Sequence, residues 1–150
     1  MILLLISRSR LQPRNPFIMA ASPVLADSSY YIQALRHGQD PLKSLALTAA
    51  TRDLAICAVV RCEVARGITQ PEILQRFRAV WNVMINVSTD QRLWEAVEQT
   101  AWKLDRAGIV LPLTDLIIAC CAQRIGAVVL THDAHFGKIP GVRAVDHLEI

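Results

Sequence analysis

The stretch that most constrains how this chain can fold is residues 113–122, Leu-Thr-Asp-Leu-Ile-Ile-Ala-Cys-Cys-Ala. It reads as a helix, and nearly every position after its first turn is apolar. A helix that is apolar on all sides is covered on most sides in a folded protein. It nevertheless carries one carboxylate, Asp115, at its N-terminal end. Backbone N–H groups there lack intrahelical partners and the helix dipole is positive, so an ionised carboxylate is tolerated. Three further acids, Asp27, Glu63 and Asp133, stand at the ends of other apolar segments.

The chain before this helix alternates short apolar runs with helical patterns. Val24-Leu25-Ala26 is a strand ending at Asp27, and Ser28 or Ser29 can cap a helix that stops at Gly38. Asp40-Pro41 opens a second helix. The apolar run 53–59 contains a strand and gives way to a helix carrying Glu63 and ending at Gly67. Pro71 suits the first turn of another helix. Residues 83–87 read as a third strand, and Ser88 or Thr89 then caps a long helix to about Ala107. After the Asp115 helix, residues 127–130 form a fourth strand that ends in Thr131-His132-Asp133, and residues 142–145 a last one. This alternation implies an α/β domain with a parallel sheet and right-handed crossovers.

Length and composition agree with one globular domain. The chain has 150 residues, 53% hydrophobic and 19% charged, with a net charge of +3. A mildly basic balance is compatible with a polyanionic partner without establishing one. The four cysteines, Cys57, Cys62, Cys120 and Cys121, form no CxxC pair and lie in apolar segments. They read as reduced core residues of a cytoplasmic protein. The apolar start, residues 1–6, is too short for a signal-peptide core and its basic residues follow it. Residues 1–18 are expected to be a disordered extension, and 19–150 a single domain.

In open α/β sheets, ligands bind outside the C-terminal ends of the strands. Asp27 and Asp133 are placed there directly, and Glu63 and Asp115, near helix N-termini, face the same edge. Four neighbouring carboxylates repel, and one or more takes up a proton unless a cation compensates. Hard oxygen donors favour Mg²⁺, with Mn²⁺ as a substitute. A site of this kind activates water and stabilises charge in phosphodiester hydrolysis. Weaker features are His132 and His135 as a metal pair, Trp81, Trp94 and Trp102 as core or dimer packing, and Arg61, Arg66, Arg124 and Lys138 as phosphate contacts. A receiver-like signalling domain phosphorylated on Asp27 is an alternative from another class. It wants a Lys where Thr131-His132-Asp133 stands.

The same segments resemble those of PIN domains. Val24-Leu-Ala-Asp-Ser-Ser-Tyr-Tyr-Ile32 resembles their opening strand and Asp, and Ala58-Val-Val-Arg-Cys-Glu-Val-Ala-Arg-Gly67 their Glu segment. Leu111-Pro-Leu-Thr-Asp-Leu-Ile-Ile-Ala119 resembles the helix with their third acid, and Leu130-Thr-His-Asp-Ala-His-Phe136 their final Thr-x-Asp-x-x-Phe. The small size is similar to that of VapC toxins of type II toxin–antitoxin pairs. The resemblance implies a three-layer α/β/α sandwich and an Mg²⁺-dependent endoribonuclease. It implies Asp27, Glu63, Asp115 and Asp133 as the acidic site, with Thr131 as a supporting hydroxyl. It also implies an RNA substrate, a homodimer and a small antitoxin partner. A housekeeping RNA-processing nuclease is the alternative within the same fold.

Overall fold

The computed structural model describes residues 21–149; the extension expected over residues 1–18 lies outside them. Five short parallel strands form one sheet: β1 (Val24–Ala26), β2 (Leu54–Cys57), β3 (Ile85–Val87), β4 (Val128–Leu130) and β5 (Ala144–Val145), in the order β3-β2-β1-β4-β5. All four pairings are parallel. Every residue of β1, β2 and β4 is buried. Because successive strand side chains point to opposite faces, burial of all of them means that both faces are covered. This is the α/β architecture expected from the sequence.

Among the described residues six helices supply the cover: α1 (Ser28–Arg36), α2 (Pro41–Thr48), α3 (Ala58–Arg66), α4 (Pro71–Trp81), α5 (Gln91–Arg106) and α6 (Leu113–Arg124). The apolar helix α6 is buried from Asp115 to Ala122. It packs against α5, α3 and β4, which accounts for its lack of a polar face. Tyr31, Phe77 and Trp81 bring α1 and α4 together. Their rings meet edge-on or tilted at centroid distances of 5.5–6.3 Å, contacts worth about 0.5–1.5 kcal/mol each beyond burial. Gly126 (φ 65°) ends the α6 segment and turns the chain directly into β4, a backbone conformation that a Cβ disfavours.

Several local expectations change. Neither Ser28 nor Ser29 caps α1; Asp27 holds the N-cap position and makes no side-chain cap bond. Asp90, not Ser88 or Thr89, caps α5, its Oδ1 accepting from the Leu93 N–H at 3.0 Å. Trp81 is in the core, but Trp94 and Trp102 are 45% and 62% exposed. Trp102 lies on the face of α5 opposite Leu93, Val97 and Leu104, and Trp94 at the flank of that stripe. Cys57, Cys120 and Cys121 are buried and Cys62 is exposed, because Val60 and Val64 take the inward positions of α3. All four thiols are free. Among the described residues, no helix is long and apolar enough to cross a membrane.

Candidate active site

The sheet order places β1 between β2 and β4, so the chain runs outward in opposite directions from β1. The crevice beyond the C-terminal ends of β1 and β4 is the topological switch point, where open α/β sheets bind ligands. Register makes it definite. Ala26 pairs with Leu130, and the Asp27 N–H donates to the Leu130 carbonyl at 2.9 Å. Asp27 and Thr131, the next residue on each strand, therefore stand side by side.

Asp27 is 3% exposed, and a buried carboxylate needs hydrogen-bond partners. Its Oδ2 receives two: the Ser29 hydroxyl at 2.7 Å and the Thr131 hydroxyl at 2.8 Å. Thr131 Oγ1 in turn accepts from the Asp133 N–H at 2.9 Å, and Ser29 Oγ accepts from the His132 N–H at 3.1 Å. The Ser28 hydroxyl lies 3.2 Å from Asp27 Oδ1 but only 2.6 Å from Glu63 Oε2. One hydroxyl has one proton, and the nearer Glu63 takes it. Asp27 Oδ1 is left with its neighbouring hydroxyl already committed to Glu63. Glu63 joins the site from α3 through Ser28.

The other side of the crevice is built differently. Asp115 enters from the first turn of α6. Its Oδ2 meets His135 Nδ1 at 2.8 Å. His135 lies in a 3-10 turn, Ala134–Lys138, capped by Asp133, whose Oδ1 accepts from the His135 N–H at 2.9 Å. The same Nδ1 is 3.3 Å from Asp133 Oδ1. Burial pushes the Asp115 carboxyl above its ordinary value. The His135 contact opposes that shift, and the charges of Asp133 and Asp27 add to it. The acids converge closely enough to repel.

Donor atoms of Asp115, Asp133 and His135 all lie within 4.8 Å of one another. Two carboxylates and an imidazole, with the Asp27 charge beside them, fit a divalent cation by donor chemistry: oxygen suits Mg²⁺ and Mn²⁺, and an imidazole is compatible with Mn²⁺. His132, the other half of the expected histidine pair, is not in this cluster and stacks on Tyr30. The sequence offered His135 only as the partner of His132; the structure sets it with Asp115 and Asp133 instead. The signal was the Asp133-x-His135 spacing, which folds the ring back over the Asp133 cap.

Two of the expected phosphate-binding cations are engaged elsewhere. Arg61 donates to Asn82 and Asn86, both at 3.1 Å, and lies over the Trp81 ring. Arg124 donates to the Ser88 carbonyl and to Asp90. Arg66 and Lys138 are exposed.

Comparison with known proteins gives a consistent picture. A family model described as PIN domain matches residues 24–142. No curated protein sequence matches the chain. Among solved structures, the chain is similar to one in the DNA-bound VapBC of Salmonella typhimurium, with a TM-score of 0.69 and 21% identity over 83% of this chain and 98% of that one. It is similar to one in a toxin–antitoxin complex from Klebsiella pneumoniae, with a TM-score of 0.64 and 26% identity over 85% and 99%. VapBC-1 from nontypeable Haemophilus influenzae gives a TM-score of 0.65 and 19% identity over 82% and 96%.

Proposed function

The chain belongs to the PIN domain family, and on that premise we propose that it is a metal-dependent endoribonuclease, the toxin of a type II toxin–antitoxin pair. The observation that carries the nuclease reading is the convergence of Asp115, Asp133 and His135 within 4.8 Å, beside a buried Asp27 held by two hydroxyls. Similarity to chains in toxin–antitoxin complexes supports the toxin reading. A small antitoxin protein, a homodimer and a cytoplasmic location belong to the same reading.

Asp27 and Asp115 would be the principal ligands of an Mg²⁺ ion, with Mn²⁺ as substitute, and Asp133 and Glu63 would complete the site through bound water. Such an ion supplies Lewis acidity at the phosphate and lowers the pKa of a bound water. The residues of the chain do the rest. Thr131 and Ser29 fix the Asp27 carboxylate, so Oδ1 needs little reorganisation. His135 orients Asp115 and screens it from Asp133. Ser28 holds Glu63 toward the crevice, where it can accept a proton from an attacking water. Burial of Asp27 and Asp115 excludes bulk solvent and strengthens their electrostatic interactions.

The test is RNA cleavage by Asp27→Asn and Asp115→Asn. Both are expected to be inactive and folded; full activity in either removes that residue's assigned role. A receiver-like reading requires phosphoryl transfer to Asp27, whose carboxylate the structure ties to Ser29 and Thr131, and no observation favours it. A short antitoxin reading frame next to the gene separates the toxin from a housekeeping RNA-processing nuclease.

A further inference from the structure

Next to the acidic crevice, between α1, the start of α2 and the tip of β4, lies a cavity of about 250 Å³ lined by Tyr30, Gln33, His37, Gln39, Ser44 and His132. Its walls differ in kind from the crevice: they carry two amides, two hydroxyls and three aromatic rings, with no carboxylate. Tyr30 and His132 lie nearly parallel, with ring centroids 6.0 Å apart and planes 17° off. The Tyr30 ring is held by its neighbours, and the backbone of His132 is anchored. Tyr30 meets Tyr31 edge-on at 6.1 Å, and its hydroxyl hydrogen-bonds Ser44. The His132 N–H is fixed on Ser29 Oγ, which itself donates to Asp27.

The cavity is smaller than the sites that take drug-sized ligands, about 300–1,000 Å³, and suits a single planar ring. Unstacked RNA bases are recognised by stacking on aromatic side chains and by hydrogen bonds along their edges. Tyr30 and His132 offer the stacking surface, and the Gln33 and Gln39 amides offer both donors and acceptors. His132 lies in the chain between Thr131 and Asp133, so a base seated against it keeps its own phosphodiester beside the acids. A wall without carboxylates also suits a base, while the anionic backbone is drawn to the cation site.

We propose that the Tyr30–His132 cavity is a nucleobase subsite that holds a base flanking the scissile phosphate and sets base preference there. This rests on the ribonuclease reading of the neighbouring site. The test uses the full chain carrying Asp27→Asn, so that bound RNA stays intact, and measures Kd in Mg²⁺ for uniform RNA hexamers of A, C and U. Adding Tyr30→Leu or His132→Ala should weaken binding about ten-fold, within the range of one base-stacking contact. Either should also narrow the differences between the hexamers. Gln33→Ala should change which base is preferred. His132→Ala alters an exposed loop residue, so it tests the idea even if Tyr30→Leu unfolds the protein. Binding by the Asp27→Asn chain that neither variant changes overturns the subsite and leaves the nuclease reading standing. That result would make the cavity available to a partner protein's side chain instead. A chain that binds no RNA, with a wild type that cuts none, overturns both.

Discussion

The two carboxylates that face each other across the crevice are stabilised in opposite ways. Asp27 is almost completely buried, yet hydroxyls of Ser29 and Thr131 hold one of its oxygens. Asp115, also buried, has His135 as its hydrogen-bond partner and is pushed upward in pKa by burial and by its acidic neighbours. The fold itself satisfies Asp27. Asp115 needs something further, either a proton that neutralises it or a cation that lets it stay ionised. That difference gives the site its chemical direction: a rigid ligand on β1 opposite an under-compensated one on α6.

The largest expected effect comes from the rigid side. Asp27→Asn keeps the shape but removes the charge, and RNA cleavage should fall by at least about 10²–10³-fold, as when an electrostatic contact to the transition state is lost. Circular dichroism of the same sample should show an intact fold. Activity near wild type would mean that Asp27 is structural.

Asp115→Asn should abolish cleavage to a similar degree and move stability the other way. The folded carboxyl titrates above its unfolded value, so the native state binds the proton more tightly. Stability contributed by this group is present at low pH and is lost as pH rises from the unfolded value through the raised folded one. As pH rises in EDTA this carboxyl therefore comes to cost stability, and at neutral pH Asp115→Asn should melt higher than wild type. Added Mg²⁺ should raise the melting temperature of wild type and leave the variant nearly unmoved. A variant less stable than wild type in EDTA would show that the His135 contact outweighs burial.

Thr131→Val tests how much the rigid side depends on its support. It keeps the volume but takes a donor from Asp27 and an acceptor from the Asp133 N–H. Cleavage should drop about 10–100-fold, the usual scale for groups that orient a metal ligand, and stability by about 1–3 kcal/mol in urea unfolding. An unchanged rate would leave Asp27 held by Ser29 alone.

An acid outside the crevice gives the smallest effect. Asp40 caps α2 and pairs with Arg76. Burial raises its carboxyl, but the Arg76 hydrogen bond and charge outweigh it and leave the value below the ordinary one. Its stability is present above the unfolded pKa and is lost as pH falls through the lowered folded value. At neutral pH, Asp40→Asn should cost about 0–1 kcal/mol, the range for a solvent-accessible pair, with cleavage unchanged. Altered cleavage would extend the site beyond the crevice.

Strand ends were legible in the sequence because each apolar run stops at a polar residue and the next helix begins at once. That placed Asp27 and Thr131 correctly, and the apolar flank of α6 drew attention to Asp115. What local pattern did not show was which of two plausible partners a side chain would choose. Ser28 and Ser29 look like helix caps, but Ser29 turns its hydroxyl back to Asp27 two residues away, and the approach of α3 gives the Ser28 hydroxyl to Glu63. His135 looks like a loop residue until the 3-10 turn lays it on Asp115, twenty residues away in the chain. Trp94 and Trp102 carry the composition of core residues, but three aliphatic residues already fill the inner stripe of α5. The Ser28–Glu63 and His135–Asp115 contacts depend on long-range neighbours, which spacing along the chain does not specify.

The central claim is that the acids of this crevice act through a bound cation on RNA. The most direct measurement incubates the purified protein with total RNA in Mg²⁺, in EDTA, and in EDTA followed by excess Mg²⁺, and maps the cut ends. Cleavage at discrete sites that disappears in EDTA and returns with Mg²⁺ is the predicted result. Cleavage of the same sites undiminished in EDTA would contradict it.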